Sequence, residues 1–115
     1  MSIQNLDAAE LSKLLKDDKV LLIDVREPSE YAVERIHGAL LYPLSTFDPH
    51  ALPDCGNRTV VFQCGSGVRS ARAVEACRKA GLSHDSHLRG GIQAWKRSGL
   101  PTLTADPATG RINEQ

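Results

Sequence analysis

The chain has 115 residues, the size of one compact domain, which excludes a multidomain assembly within this length. Hydrophobic residues at 41% with charged residues at 24% supply a real core, so neither a disordered chain nor a fibre is indicated. Fourteen Lys and Arg balance fourteen Asp and Glu, which argues against a surface built to coat nucleic acid or an anionic membrane. The balance hides an asymmetry, because residues 1–57 carry five basic and ten acidic side chains and residues 58–115 carry nine and four. A small-anion site is therefore expected in the second half. No apolar run approaches the roughly 20 residues that span a bilayer. The start, Met1-Ser2-Ile3-Gln4-Asn5, has neither a basic region nor a following apolar stretch, so the expectation is a cytoplasmic protein with Cys55, Cys64 and Cys77 as free thiols.

Asp7-Ala8-Ala9-Glu10 is a capping-box start for a helix whose apolar face is Leu11, Leu14 and Leu15. Val20 to Asp24 is a short apolar run ending in a carboxylate, the pattern of a parallel strand buried on both faces, and is taken as the first core strand. Pro28 opens a helix running toward Arg35, and Ala39 to Tyr42 is another strand. Pro49, Pro53 and Gly56 make Leu44 to Asn57 a loop with one helical turn. Thr59 to Gln63, rich in β-branched and aromatic residues, is the strongest strand and runs directly into Cys64. A helix follows, with Ala71, Val74 and Cys77 on its apolar face, a Glu75–Lys79 pair on its surface and a Schellman-type stop at Gly81-Leu82. The last helix starts after Gly90-Gly91, carries Trp95 as its core anchor and stops at Gly99-Leu100-Pro101. Strands alternating with helices predict an α/β fold, a central parallel sheet with helices on both faces. Residues 1–101 form the domain and 102–115, with little periodicity, an extended or mobile tail.

Between the best strand and the best helix lies Cys64-Gly65-Ser66-Gly67-Val68-Arg69-Ser70. Backbone N–H groups at a helix N-terminus form an anion cradle. A cysteine at its edge is acidified by those donors and by Arg69, which makes Cys64 a candidate nucleophile. Gly65 and Gly67 allow close ligand approach, Arg69 can bind an oxyanion, and Ser70 can cap the helix. Cys77, on the apolar helix face, is expected in the core, and Cys55 carries no readable role. His37, His50, His84 and His87 lack a metal-ligand spacing, so no metal and no cofactor are expected.

With this loop, Asp24-Val25-Arg26-Glu27 with Glu30-Tyr31, Ile36-His37-Gly38-Ala39, and Leu88-Arg89-Gly90-Gly91 through Trp95 to Gly99-Leu100-Pro101, the chain resembles a single-domain rhodanese over roughly residues 5 to 101. The resemblance implies a three-layer α/β fold and a sulfurtransferase that moves sulfane sulfur through a Cys64 persulfide. It implies a small anionic donor such as thiosulfate and a cyanide or thiol acceptor, with a cysteine desulfurase or an acceptor protein as a further partner. Gly65 to Ser70 would bind the anion, with Arg69 orienting it. Asp24, Arg26 and Glu30 would form a supporting polar network, and Gly90 and Gly91 would line the neighbouring turn. Gly65 stands where many thiosulfate-using relatives have arginine. Cys64-Gly65-Ser66-Gly67-Val68 is similar to the opening in mercaptopyruvate sulfurtransferases, which usually continue with threonine where this chain has Arg69.

Three other readings stand beside this one. A cysteine-dependent phosphatase or arsenate reductase uses a loop one residue longer, commonly with His before the cysteine, where this chain has Gln63. A redox sensor would need a resolving cysteine close in sequence. A rhodanese-like sulfur-carrier or interaction module would use the same fold through a partner surface.

Overall fold

The computed structural model describes residues 3–114. In chain order its elements are β1 (Gln4–Leu6), α1 (Ala8–Lys16), β2 (Val20–Asp24), α2 (Pro28–Val33), β3 (Glu34–Arg35) and β4 (Leu40–Leu41). Two 3₁₀ turns, Leu44–Thr46 and Pro49–Ala51, precede β5 (Thr59–Gln63), α3 (Val68–Lys79), β6 (Ser86–Leu88), α4 (Gly91–Arg97), β7 (Leu103–Ala105) and β8 (Ile112–Glu114). Five strands form one parallel sheet in the order β1-β6-β5-β2-β4. The two apolar runs, β2 and β5, lie side by side with Leu22 opposite Val61 and Ile23 opposite Phe62.

The register sends alternate side chains into two cores. Val20, Leu22, Val61 and Leu88 pack with Leu11 of α1 and with Ile92 and Trp95 of α4. Ile23, Val60, Phe62 and Cys64 pack with Ala73, Val74 and Cys77 of α3 and with Tyr42, Leu44 and Phe47 from the loop after β4. Helices therefore cover both faces, which is the expected α/β architecture. Burying each large side chain such as Phe62 or Leu22 contributes about 1.5–3 kcal/mol. Trp95 satisfies its indole N–H on the Pro101 carbonyl at 2.8 Å, as its role of anchor requires.

The helix termini follow local chemistry. Asp7 and Glu10 form the capping box, with Glu10 N donating to Asp7 Oδ1 at 2.8 Å and Asp7 N to Glu10 Oε1 at 3.1 Å. The Schellman stop of α3 is made by Leu82 N donating to Cys77 O and Gly81 N donating to Arg78 O, and α4 repeats it with Leu100 and Gly99.

Several expectations are corrected. The helix from Pro28 ends at Val33, because Glu34 and Arg35 turn extended to pair antiparallel with Thr104 and Leu103. That pairing is tertiary and outweighs local propensity. Val20–Asp24 is the first strand of the core, as expected, but β1, with no buried residue, precedes it in the sheet; β1 and β6 are three-residue strands too polar to show a strand pattern. Glu75 pairs with Arg78 at 3.0 Å instead of Lys79. Beyond Pro101, β7 and β8 form a hairpin that joins β3 in a small antiparallel sheet. Thr102 is buried there and donates to Glu34 Oε2, which also receives support from Lys96 at 2.8 Å on its other oxygen. Among the described residues no helix is long and apolar enough to cross a membrane.

Gln63, opposite Asp24 at the end of β5, is fully buried, and neither its side-chain nitrogen nor its oxygen has a hydrogen-bond partner among the described residues. A buried unsatisfied polar group costs about 1–3 kcal/mol. Gln63→Met keeps the side-chain length and removes the amide, so urea unfolding should show it more stable than the parent by about 1–2 kcal/mol. A less stable variant would mean that the amide is satisfied in solution.

Candidate active site

β5 delivers Cys64 at its C-terminal end, beside the start of α3, and the side chain is buried. The cap of α3 is Gly67, held at φ +102°, and no cap side chain accepts from the first turn. The sulfur occupies that position. Gly67 N donates to Cys64 Sγ at 3.1 Å and Ser70 N donates to it at 3.3 Å. Two of the N–H groups that a helix start leaves without partners are thus satisfied by the candidate nucleophile. Ser70 therefore does not cap the helix as expected. It sits in the first turn with its Oγ 3.6 Å from Cys64 Sγ and 3.2 Å from Gly67 O.

The electrostatic consequence is a net acidification. Burial pushes the Cys64 thiol up, but hydrogen bonds from the Ser70 backbone and side chain, and from the Gly67 and Ser66 backbones, bring it below the ordinary thiol range. Cys77 provides the contrast within the same core, since burial alone pushes it up to about 11. Cys77 is structural, as its place on the apolar face of α3 predicts. Cys55 lies half-buried in the loop before β5.

The loop is held from beneath by α4. Ile92 N donates to Cys64 O at 2.8 Å and Gln93 N to Gly65 O at 3.2 Å, so the first turn of α4 is capped by carbonyls of the loop. Gly91 makes this approach possible, because a Cβ there would collide with Cys64 O and with the carbonyl of Gly65. Gly90 lies against Gly67, whose Cβ position is 3.2 Å from Gly90 N. Gly90 and Gly91 thus lie in the turn next to the loop.

Arg69 behaves differently from the expectation of a guanidinium free to orient an anion. Its Nη1 and Nη2 donate to Glu30 Oε1 at 2.6 Å and Oε2 at 3.0 Å, a bidentate pair that ties α3 to α2. The guanidinium also lies over the loop, 3.2 Å from where a Cβ at Gly65 would stand. Arg69 holds the Glu30 carboxyl down to about 2, and Glu30 in turn raises Arg69. The expected network of Asp24, Arg26 and Glu30 is therefore not joined by hydrogen bonds, and Arg26 reaches Glu30 only through its charge. Asp24 and Arg26 form a buried pair at 2.8 Å whose guanidinium also donates to Glu34 O at 2.6 Å, while Glu30 belongs to the loop arginine. Ser66 and Val68 form the outer part of the loop, Val68 being 61% exposed.

Two residues at the site escaped the sequence reading. His87 of β6 is buried and meets Ser70 Oγ through Nδ1 at 2.7 Å, and Asn5 of β1 meets its Nε2 at 2.8 Å. The only signal was a polar Ser86-His87 directly before Leu88-Arg89-Gly90-Gly91, which has no strand periodicity.

A family model, the rhodanese-like domain, matches residues 7–98. The chain belongs to the rhodanese-like domain family. A sulfurtransferase of Allochromatium vinosum is 36% identical over 90% of this chain and 98% of its own. A Synechocystis protein, slr1261, is 42% identical over 91% of this chain, and the probable adenylyltransferase/sulfurtransferase MoeZ of Mycobacterium tuberculosis is 44% identical over 74%. The chain spans only 59% and 22% of the length of those two relatives. Among solved structures, the rhodanese-like domain of the Anabaena protein Alr3790 has a TM-score of 0.74 at 31% identity, covering 89% of this chain and 79% of that one. A rhodanese-related protein of Thermoplasma volcanium gives 0.73 at 31%, covering 86% and 96%. The rhodanese likeness read from the sequence motifs thus holds for both family and fold, and sulfurtransferases are among its relatives.

The Glu30–Arg69 pair has a defined pH signature. Glu30 is lowered in the folded state, so its contribution is fully present above its ordinary value of 4.5 and is lost as pH falls toward about 2. Both side chains are about a third exposed, so solvent screening keeps the contribution small and salt reduces it. The urea midpoints of the parent and of Glu30→Gln should therefore differ most above pH 4.5 and converge toward pH 2. A constant gap across that window would contradict the pairing.

Proposed function

We propose that the protein is a sulfurtransferase that carries sulfane sulfur on Cys64. The observation that carries the reading is the placement of Cys64 Sγ where the start of α3 donates two backbone N–H groups to it. Such a site favours an anionic sulfur, whether thiolate or persulfide. The family and its sulfurtransferase relatives support the same chemistry.

The thiolate of Cys64 attacks the outer sulfur of a donor such as thiosulfate. The donor's S–S bond breaks, its electron pair leaves on sulfite, and a new S–S bond stands on Cys64. Cyanide or a thiolate acceptor then attacks that outer sulfur. The Cys64 S–S bond breaks with its electron pair returning to Sγ, and thiocyanate or a persulfide product departs. No redox partner is consumed in either half. The Gly67 and Ser70 amides stabilise the charge on Sγ both before attack and after discharge. Cytoplasmic residence, where thiols stay reduced, is part of this proposal.

The pairing of Arg69 favours a second reading, a sulfur carrier that exchanges with protein partners. Its guanidinium is engaged by Glu30, so its charge is partly neutralised toward a small anion, and the exposed Val68 on the loop suits an apolar contact with a protein. A cysteine desulfurase would then supply the sulfur and a protein thiol would accept it.

Intact mass after brief exposure to thiosulfate should show a gain of one sulfur in the parent and none in Cys64→Ser. Cyanide should discharge it as thiocyanate. Absence of the gain with thiosulfate, mercaptopyruvate, and cysteine plus a desulfurase would overturn the transferase reading. Loading only from the desulfurase would select the carrier form. Glu30→Gln releases Arg69 toward the donor, so its KM for thiosulfate should fall about fivefold, the effect of an exposed charge pair worth ~1 kcal/mol. An unchanged KM would mean that Arg69 takes no part in binding thiosulfate.

A further inference from the structure

Four side chains form a continuous polar chain that ends at the nucleophile. Asn5 Oδ1 lies 2.8 Å from His87 Nε2, His87 Nδ1 lies 2.7 Å from Ser70 Oγ, and Ser70 Oγ lies 3.6 Å from Cys64 Sγ. They come from β1, β6, α3 and the end of β5, elements adjacent in the fold and distant in sequence. His87, Ser70 and Cys64 are all buried, His87 at 6% exposure and the other two at 0%. Polar partners on both ring nitrogens hold the buried imidazole in one orientation, with Nδ1 toward Ser70.

The contacts fix proton positions. With Asn5 Oδ1 accepting, the ring proton lies on Nε2, and Nδ1 is a bare acceptor toward Ser70. The Ser70 hydroxyl donates to that nitrogen at 2.7 Å in preference to Gly67 O at 3.2 Å, which turns its lone pairs toward the Cys64 thiol. The charged group that acts on His87 is Arg89, two residues on in its own chain; Ser70 of α3 and Asn5 of β1, which meet the ring, are uncharged. Burial, helped by Arg89, pushes His87 below the ordinary imidazole value, so the ring is neutral and its Nδ1 lone pair is available near pH 7.

We propose that Ser70 and His87 form a proton relay that removes the Cys64 thiol proton when the nucleophile is formed and returns it when the thiol is restored. The S–H bond breaks and its electron pair stays on Sγ. That proton passes to Ser70 Oγ as the serine's own proton passes to His87 Nδ1, and the resulting imidazolium is held by Asn5. No external base is needed. Ser70 touches the reacting sulfur, whereas His87 and Asn5 act through it as positioning residues. The inference rests on Cys64 being the nucleophile, but its test reads the thiol and not sulfur transfer, so the two can fail separately.

The test is the pH dependence of iodoacetamide alkylation at Cys64, followed by peptide mass, in the parent, Ser70→Ala, His87→Gln and the double variant. Each single variant should raise the midpoint by about one unit, a tenfold loss of thiolate at lower pH. The double variant should be no worse than either single, because the residues act in one chain. Ser70→Thr, which keeps the hydroxyl, should restore the parent profile. In the parent, the His87 ring ¹⁵N signals should show a proton on Nε2 and a bare Nδ1 while Cys64 is a thiol, and the Nδ1 signal should move through the pH range in which Cys64 ionises. A midpoint unchanged by both Ser70→Ala and His87→Gln overturns the relay, as do additive effects. If the variants do not fold, the parent ring signals decide alone, and Nδ1 signals that ignore Cys64 overturn it.

Discussion

The constraint on which the site depends is that the sulfur of Cys64 completes the N-terminus of α3. A helix start leaves backbone N–H groups that need acceptors, and no cap side chain supplies one here. Sγ accepts two of them, from Gly67 and Ser70. The same contacts that end one element and begin the next also stabilise negative charge on the nucleophile. Folding and reactivity therefore draw on one set of hydrogen bonds, and the thiolate form strengthens them.

Everything around the loop serves to keep that sulfur in register. From below, α4 donates to the carbonyls of Cys64 and Gly65, an approach that only glycine at 91 permits. From the side, the bidentate Arg69–Glu30 pair fastens the start of α3 to α2. From the sheet, β6 brings His87 against Ser70, and the edge strand β1 brings Asn5 against the other ring nitrogen of His87. The buried Asp24–Arg26 pair sits farther back, joining the end of β2 to the chain after α2 through Glu34 O. Arg69 illustrates how the fold can change the meaning of a motif residue: a cation beside a nucleophile becomes half of an ion pair, which shifts weight from small-anion capture toward loop architecture.

Which of these features could be read from the sequence follows from their physics. The strands β2 and β5 are continuous apolar runs, and the loop of Cys64 with its glycines is a local pattern, so both are visible one segment at a time. The capping box at Asp7 and the stops at Gly81 and Gly99 are equally local. The strands β1 and β6 are not visible, because Gln4-Asn5-Leu6 and Ser86-His87-Leu88 are held in the sheet by neighbours and carry no periodicity. Their polar residues are the ones that meet the site, and functional positions are where local rules are expected to fail. The resemblance places Glu30 in a network with Asp24 and Arg26, whereas its hydrogen-bond partner Arg69 lies 39 residues away on another helix, a pairing that no local pattern shows.

The most direct test of this account is a crystal structure of the protein after treatment with one equivalent of a sulfane donor. The account predicts a second sulfur bonded to Cys64 Sγ and facing the loop amides, with the Gly67 and Ser70 N–H contacts to Sγ retained. Added sulfur on Cys55 or Cys77 with Cys64 left as a thiol would contradict it.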